Sequence, residues 1–344
     1  MDFTPTEEQE AARELASRIL GDLSTHERLA AAGTGTDAEL WKALSTAGLP
    51  AAVEEIGLLG LVLLLEEQGR VTAQVPLAVT GVYGILAVAR HGTEEQRARL
   101  LPGLRDGTAV ATGAFPAPGT VTAHDGRLTG TVGWVPWLRD ATHVLVPDGE
   151  RGLWLVRAGD AGVEAVELTA PWSAGRLVLD GTPAERLGGG EGAGAYEDVL
   201  AAARTAFAGL QAGVCAGSLA RAVAYTSVRE QFGRPLATRQ AVQLRAADAY
   251  MDTESIRVTA YEAAWRSDAG LDCSGAALTA AWWASEAGRR VVHSGQHLHG
   301  GMGADLDHPV HRHFLWGRQL DAYLGHGTEL LAELGDLLAK GDPA

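Results

Sequence analysis

The chain has 344 residues, 46% hydrophobic and 21% charged, with a net charge of −15. That length suits a globular protein of two or three folding units, and the negative charge argues against nucleic acid or an anionic membrane surface as a partner. Two cysteines, Cys215 and Cys273, exclude a disulfide framework or a structural zinc site. The start of the sequence lacks a signal pattern, and its most apolar run, Leu58 to Leu65, is too short to span a bilayer. A cytoplasmic location without membrane insertion is therefore expected.

In chain order, residues 1–110 read as helices. Thr4 is the expected cap of the first, with Pro5 in its first turn and Glu7 closing a capping box. Ala12, Leu15, Ile19 and Leu20 follow at helical spacing. Further helices are predicted over 37–47, 52–69, 76–91 and 94–105. Residues 111–186 are rich in Gly, Thr, Val and Pro. Short runs at 126–130, 143–146 and 153–156 read as strands, which predicts a small β-barrel or sandwich. A Gly-rich linker spans 186–195. Four long helices then fit at 197–228, 238–267, 275–298 and 309–339, most simply as a four-helix bundle. The fold class is mainly α with a β middle domain: a helical domain (1–110), a β-domain (111–186) and a C-terminal bundle (196–344).

Three motifs stand out. Gly92-Thr93-Glu94-Glu95-Gln96-Arg97 leads to Leu100-Leu101-Pro102. Arg229-Glu230-Gln231-Phe232-Gly233-Arg234-Pro235-Leu236 precedes Gln240, and His299-Gly300-Gly301-Met302-Gly303 follows about seventy residues after Arg229. An arginine at a helix–loop junction suits a diphosphate, because its guanidinium makes forked, charge-assisted contacts. Glycines let a backbone approach phosphate closely. The plainer reading of the same residues is a surface loop opening a helix, with glycines serving only as a turn.

Taken together, the motifs resemble the acyl-CoA dehydrogenase family over essentially the whole chain. That resemblance implies FAD as cofactor, an acyl-CoA thioester as substrate of α,β-desaturation, and an electron-transferring flavoprotein as electron acceptor. It also implies that the arm and glycine motif reach across a subunit interface to a neighbour's flavin. Carried over, Arg229 holds the diphosphate, Phe232 and Gln240 lie along the adenosine half, and Gly300, Gly301 and Gly303 give close backbone approach. His297 stands where the family usually has Gln, and Trp134 stands beside the flavin ring.

The departures point elsewhere. The family's acidic Gly-Ser-rich loop is replaced by Gly113-Ala114-Phe115-Pro116-Ala117-Pro118-Gly119, and its Trp-Ile-Thr segment by Trp134-Val135-Pro136, which lacks the hydroxyl. The two positions where the family carries its catalytic Glu match Ala203, just before the substrate-side Arg204, and His326. A histidine's chemistry suits proton transfer near neutrality, which makes His326 a candidate base; the blander reading is a loop histidine, with Glu329 a solvated helix residue. This pattern, with Gln296-His297-Leu298-His299 and Asp307-His308-Pro309-Val310-His311-Arg312, is similar to the base-less subunit of actinobacterial steroid side-chain acyl-CoA dehydrogenases, which are α2β2 assemblies. The implied role is a subunit completing a partner's flavin site. The alternatives are a catalytically silent scaffold and a homo-oligomeric flavoenzyme with a non-Glu base. A gap near Pro50–Glu54 leaves room for a bulky acyl chain. Six histidines between His293 and His313 lack a metal-binding pattern, so no metal is expected, and Trp282 and Trp283 read as bundle packing.

Overall fold

In the computed structural model the described residues are 2–116, 118–188 and 193–341. They fall into two compact units, one built from residues 5–61 and 74–203, the other from residues 1–4, 62–73 and 204–344. Part of the Gly-rich linker, residues 189–192, lies outside the described residues, as does Ala117 of the replaced loop.

The first unit opens with α1 (Glu7–Leu23), α2 (His26–Ala31), α3 (Ala38–Thr46) and α4 (Leu49–Val71), which kinks at Gly57 and leaves the unit after Leu61. The expected Thr4–Glu7 box is corrected to Thr6 and Gln9: the Thr6 hydroxyl accepts from Gln9 N–H, and the Gln9 side chain accepts from Thr6 N–H. Pro5 precedes the cap instead of opening the helix, and α2 has no counterpart in the sequence reading.

Next come α5 (Leu77–Val79), a π-helical stretch Thr80–Leu86, α6 (Ala87–His91) and α7 (Glu94–Arg105). The Gly92–Arg97 motif is a capping box, Thr93 with Gln96. The Gln96 amide also donates to Glu185 Oε1 at 2.7 Å and to the Arg186 carbonyl at 2.9 Å, so the motif ties α7 to the end of the β region.

The β region is a two-sheet sandwich. Strands β1 (Ala111–Gly113), β2 (Val121–His124), β3 (Arg127–Val135), β4 (His143–Pro147), β5 (Leu153–Arg157), β6 (Gly162–Ala165), β7 (Gly175–Pro183) and β8 (Glu185–Arg186) form sheets ordered β1-β4-β5-β8 and β2-β3-β7-β6. Only β1–β4 is parallel among the described pairings, which excludes a parallel nucleotide-binding sheet. Val121, Leu128, Val132 and Leu177 of one sheet pack with Val144, Val146 and Val156 of the other, the inward alternation expected of such layers.

The second unit is helical: the part of α8 (Ala193–Val228) after Ala203, then α9 (Gln240–Asp268), α10 (Ser274–Leu298), α11 (Val310–Leu320) and α12 (Gly327–Gly341), with the end of α4. Gly194–Val228 is long and apolar enough to cross a membrane, yet 94% of its most apolar window is buried inside the protein. Its stripe Gly209, Gly213 and Gly217 lies on α4. A Cβ there would sit 2.8 Å from Val62 Cγ1, 2.1 Å from Glu66 O and 2.2 Å from Arg70 O. Only the missing side chains let the two backbones approach so closely. Beside this crossing, buried Glu66 receives Arg257 Nε on both oxygens at 3.2 Å.

The single helix expected over 309–339 is corrected to α11 and α12. The chain breaks between them because Leu324 and Gly325 take φ of 65° and 120°, outside helical space. Gly327 N–H at the start of α12 is received by Ser285 Oγ at 3.0 Å.

Candidate functional site

The arm begins where α8 ends. Arg229 N–H bonds the Tyr225 carbonyl at 2.9 Å, and β9 (Glu230–Gln231) then pairs with β10 (Arg234–Pro235). Phe232 and Gly233 form the turn with φ of 54° and 76°, the doubly left-handed form that suits hairpin twist. Glycine adopts it freely, whereas a side chain there costs about 1–2 kcal/mol. Phe232 gains no burial in exchange, being 91% exposed. Arg239 lies over its ring at 5.2 Å and donates to the Gln231 carbonyl at 2.8 Å, which stiffens the hairpin. Arg229 and Gln240 are exposed as well.

The glycine turn follows α10 as a short 3-10 segment, Gly300–Ala304. Its glycines have different reasons. Gly303 is required by packing, since a Cβ would lie 2.2 Å from Gln296 O. Gly300 takes φ of 60°, while a Cβ on Gly301 would meet no atom within 4 Å. Nothing inside the described chain demands a glycine at 301. His297 is exposed one turn earlier.

Tyr225, which the sequence reading passed over, and His299, which it quoted in the glycine motif without a role, bring arm and turn together. The Tyr225 ring stacks on His299 at 4.8 Å and 22°. Tyr225 stands four residues before Arg229 and His299 directly before the glycine pair, a helical spacing that was the available signal. One bundle end thus presents Arg229, Phe232, Gly300 and Gly301 to solvent, alongside exposed Val228, Met302 and Leu306.

The positions of the family base look different. Ala203, in the first unit, is fully buried. The cavity lined by its neighbours Val199 and Ala202, with Val82 and Leu86, measures about 10 Å³, at most a single water's space. In the second unit Arg204 is gripped by Glu333 on α12, at 2.9 and 2.6 Å through both terminal guanidinium nitrogens, while its buried Nε has no hydrogen-bond partner among the described residues. Glu333 was not singled out from the sequence; only its charge on an otherwise apolar turn of α12 marked it.

His326 is half-buried in the break before α12. Its Nε2 lies 3.7 Å from Asp321 Oδ1, but Asp321 already holds Arg318 at 2.7 Å, and its carbonyl accepts from Ser285 Oγ at 2.9 Å. Glu329 is exposed and also accepts His326 N–H at 3.0 Å, a cap for α12. Trp134 belongs to the first unit, half-buried on β3. Behind it the Pro136 carbonyl accepts from Thr112 Oγ1 at 2.5 Å, and Trp137 stacks on Trp172 at 4.6 Å.

Among the described residues no group of three or more His, Cys, Asp or Glu is arranged to hold a metal. Two of the clustered histidines bond backbone carbonyls instead: His311 Nδ1 donates to the His308 carbonyl at 2.7 Å, and His313 Nε2 to the distant Arg70 carbonyl at 3.0 Å.

The chain matches the acyl-CoA dehydrogenase N-terminal domain over residues 6–108 and the acyl-CoA dehydrogenase C-terminal domain over residues 190–331. It is 37% identical over 373 aligned positions to the acyl-CoA dehydrogenase FadE27 of Mycobacterium tuberculosis, covering 99% of each chain. Among solved structures it is similar to a variant of the Tcur3481-Tcur3483 steroid ACAD, with a TM-score of 0.90, 44% identity and coverage of 97% and 98%. A chain of the ChsE4-ChsE5 complex from Mycobacterium tuberculosis also matches, with a TM-score of 0.90, 34% identity and coverage of 100% of both chains. With both terminal domains matched and the helix–sandwich–helix order in place, the chain belongs to the acyl-CoA dehydrogenase family of oxidoreductases.

Proposed function

We propose that this chain is one subunit of a heteromeric, FAD-dependent acyl-CoA dehydrogenase, and that it completes the flavin site of a partner subunit that carries the catalytic Glu. The observation that carries this reading is the exposed arm. Arg229 and a strained, solvent-facing Phe232 are tied through Tyr225 and His299 to a turn whose Gly301 answers to nothing among the described residues. Such a surface fits an adenosine diphosphate brought from outside: Arg229 for the phosphates, Gly300 and Gly301 for close backbone approach, Phe232 and Gln240 along the adenosine half. The buried Ala203 position fits poorly with a working site of the chain's own: Ala203 has no proton-accepting group, and the cavity beside it is about 10 Å³.

FAD, when bound, supplies the acceptor for the β-hydride. What this chain contributes is binding and orientation. Arg229 neutralises phosphate charge, and His297 and the glycine turn bound the cofactor's far half. The α-proton goes to the partner's carboxylate, since thioester α-carbons are weakly acidic and need a placed base.

The complexes named for the similar structures support a two-chain assembly, and the word steroid in one of those names supports a steroid acyl-CoA over a simple fatty acyl-CoA; the α2β2 stoichiometry and the side-chain position belong to the proposal. An electron-transferring flavoprotein as acceptor, a cytoplasmic location, and a segmentation into 1–110, 111–186 and 196–344 belong to the same proposal. A homo-oligomeric enzyme using His326 has one observation in its favour, Asp321 at 3.7 Å from Nε2. Arg318 and Ser285 already engage that aspartate, which weakens this reading.

The test is acyl-CoA oxidation with an artificial electron acceptor, by the chain alone and co-expressed with a Glu-bearing partner. General-base catalysis contributes about 10²–10⁴ in rate, so the lone chain falls short of the assembly by at least that order. Strong lone turnover abolished in His326→Gln would make His326 the base. Strong lone turnover surviving that change would mean another catalytic group acts.

A further inference from the structure

His299 has no assigned role in the flavin reading, yet it sits where the arm and the glycine turn meet. It is buried, and its Nδ1 lies 2.7 Å from the Gly295 carbonyl. A carbonyl only accepts, so Nδ1 carries the proton and Nε2 is bare in the neutral ring. The Tyr225 ring stacks on one side, and the His308 ring lies 5.0 Å away at 60°. His308 Nδ1 accepts Val310 N–H at 3.3 Å, which puts the proton of that neutral ring on Nε2. Both tautomers are therefore set by backbone contacts.

We propose that His299 is a positioning residue: its neutral ring couples the base of the arm to the Gly300–Gly303 turn, and a proton on it uncouples the two. The coupling stands on geometry; its consequence for flavin rests on the function proposed above.

The surroundings give the sign. A second proton on His299 has to go on Nε2, in a buried ring that contacts Tyr225 and His308. From α8, half-buried Arg221 faces the ring one turn before Tyr225, and no carboxylate of the described residues acts on it. Burial above all holds the imidazole below its ordinary range; the Gly295 bond pulls upward against it, and Arg221 adds a smaller downward push. In the uncoupled form the ring regains an ordinary value of about 6.5. The coupled form is thus fully favoured above about pH 6.5 and weakens as pH falls below it, by up to about tenfold per pH unit.

Amide hydrogen exchange over 225–236 and 299–305 reads this directly, in the chain and in the co-expressed assembly, after correction for intrinsic exchange. In the unsubstituted protein, opening of both segments rises about tenfold per pH unit below about pH 6.5. In His299→Asn, whose amide N–H can still donate to the Gly295 carbonyl, the rise is absent. Arg221→Gln, which leaves His299 in place, shrinks the total rise by bringing the two forms' proton affinities together. Profiles identical in the unsubstituted protein and in both variants overturn the proposal. Flavin retained by the assembly is followed over the same pH series. A proton-sensitive turn in an assembly without flavin supports the coupling and sinks the flavin role; tightly held flavin with unchanged profiles sinks the coupling alone.

Discussion

Glu333 on α12 holds Arg204 on α8 through both terminal guanidinium nitrogens, at 2.9 and 2.6 Å, although the two residues are 129 positions apart. The Arg204 side chain is 8% exposed, while Glu333 is 50% exposed. The carboxylate reaches in from the surface to neutralise an arginine that the bundle has already desolvated. In this state the arginine is occupied without any substrate.

Removing that carboxylate leaves a buried charge uncompensated. Charged hydrogen bonds contribute about 1.5–3 kcal/mol, and solvent access to Glu333 brings the expected loss in Glu333→Ala to about 1 kcal/mol. Urea unfolding midpoints measure it. Titration of the variant with an acyl-CoA reports whether the freed Arg204 takes a thioester or a carboxylate. No change in either measurement would mean the pair matters neither to stability nor to the site.

Two glycines should separate fold from function. Gly213→Ala puts a Cβ 2.1 Å from the Glu66 carbonyl, backbone against backbone, where nothing flexible can yield. Overpacking of this kind costs about 1–3 kcal/mol, so its melting temperature drops. Gly301→Ala meets no atom within 4 Å and has no positive φ. Its stability should match the unsubstituted chain while flavin retained by the assembly falls. Equal flavin content in Gly301→Ala would remove the glycine turn from the cofactor surface.

Arg229 is expected to act on flavin alone. Its side chain is exposed, so Arg229→Ala should leave unfolding unchanged. The lost charge-assisted contact, about 1.5–3 kcal/mol, weakens flavin binding in the assembly by roughly tenfold or more. Flavin-to-protein ratios after gel filtration decide it, and an unchanged ratio refutes the contact.

Acid should destabilise the bundle through His313. This ring is buried, donates from Nε2 to the Arg70 carbonyl, and has Gly217 pressed against it. Burial above all, with Arg221 adding to it, pulls its pKa down to about 4. The unfolded chain takes up its proton near pH 6.5 and the folded one only near 4. Stability from this residue is complete above about pH 6.5 and declines as pH falls toward 4, by about 1.4 kcal/mol per pH unit. His313→Gln keeps a donor without titrating and should flatten this slope in denaturant midpoints taken across the window. Parallel slopes in both proteins would assign the acid loss to other groups.

The sequence by itself determined the order of regions, helical then β then helical, and the β middle domain, and it marked the arm and the Thr93–Gln96 segment as motifs. Each is written in neighbouring residues: alternation in Val144 and Val146, the Thr93–Gln96 box, the Phe232–Gly233 turn between short strands. It misjudged the first cap, because Thr4 and Thr6 flank the same Pro5 and only the folded chain selects Thr6. It also ran α11 into α12, since a left-handed Leu324 leaves no compositional mark. What only the tertiary structure decided are the pairings between distant elements: Tyr225 on His299, Glu333 on Arg204, Gly213 against Glu66. A helix or hairpin is fixed by chemistry within a few residues, whereas these contacts depend on which faces meet when the core excludes water, and no linear spacing records that.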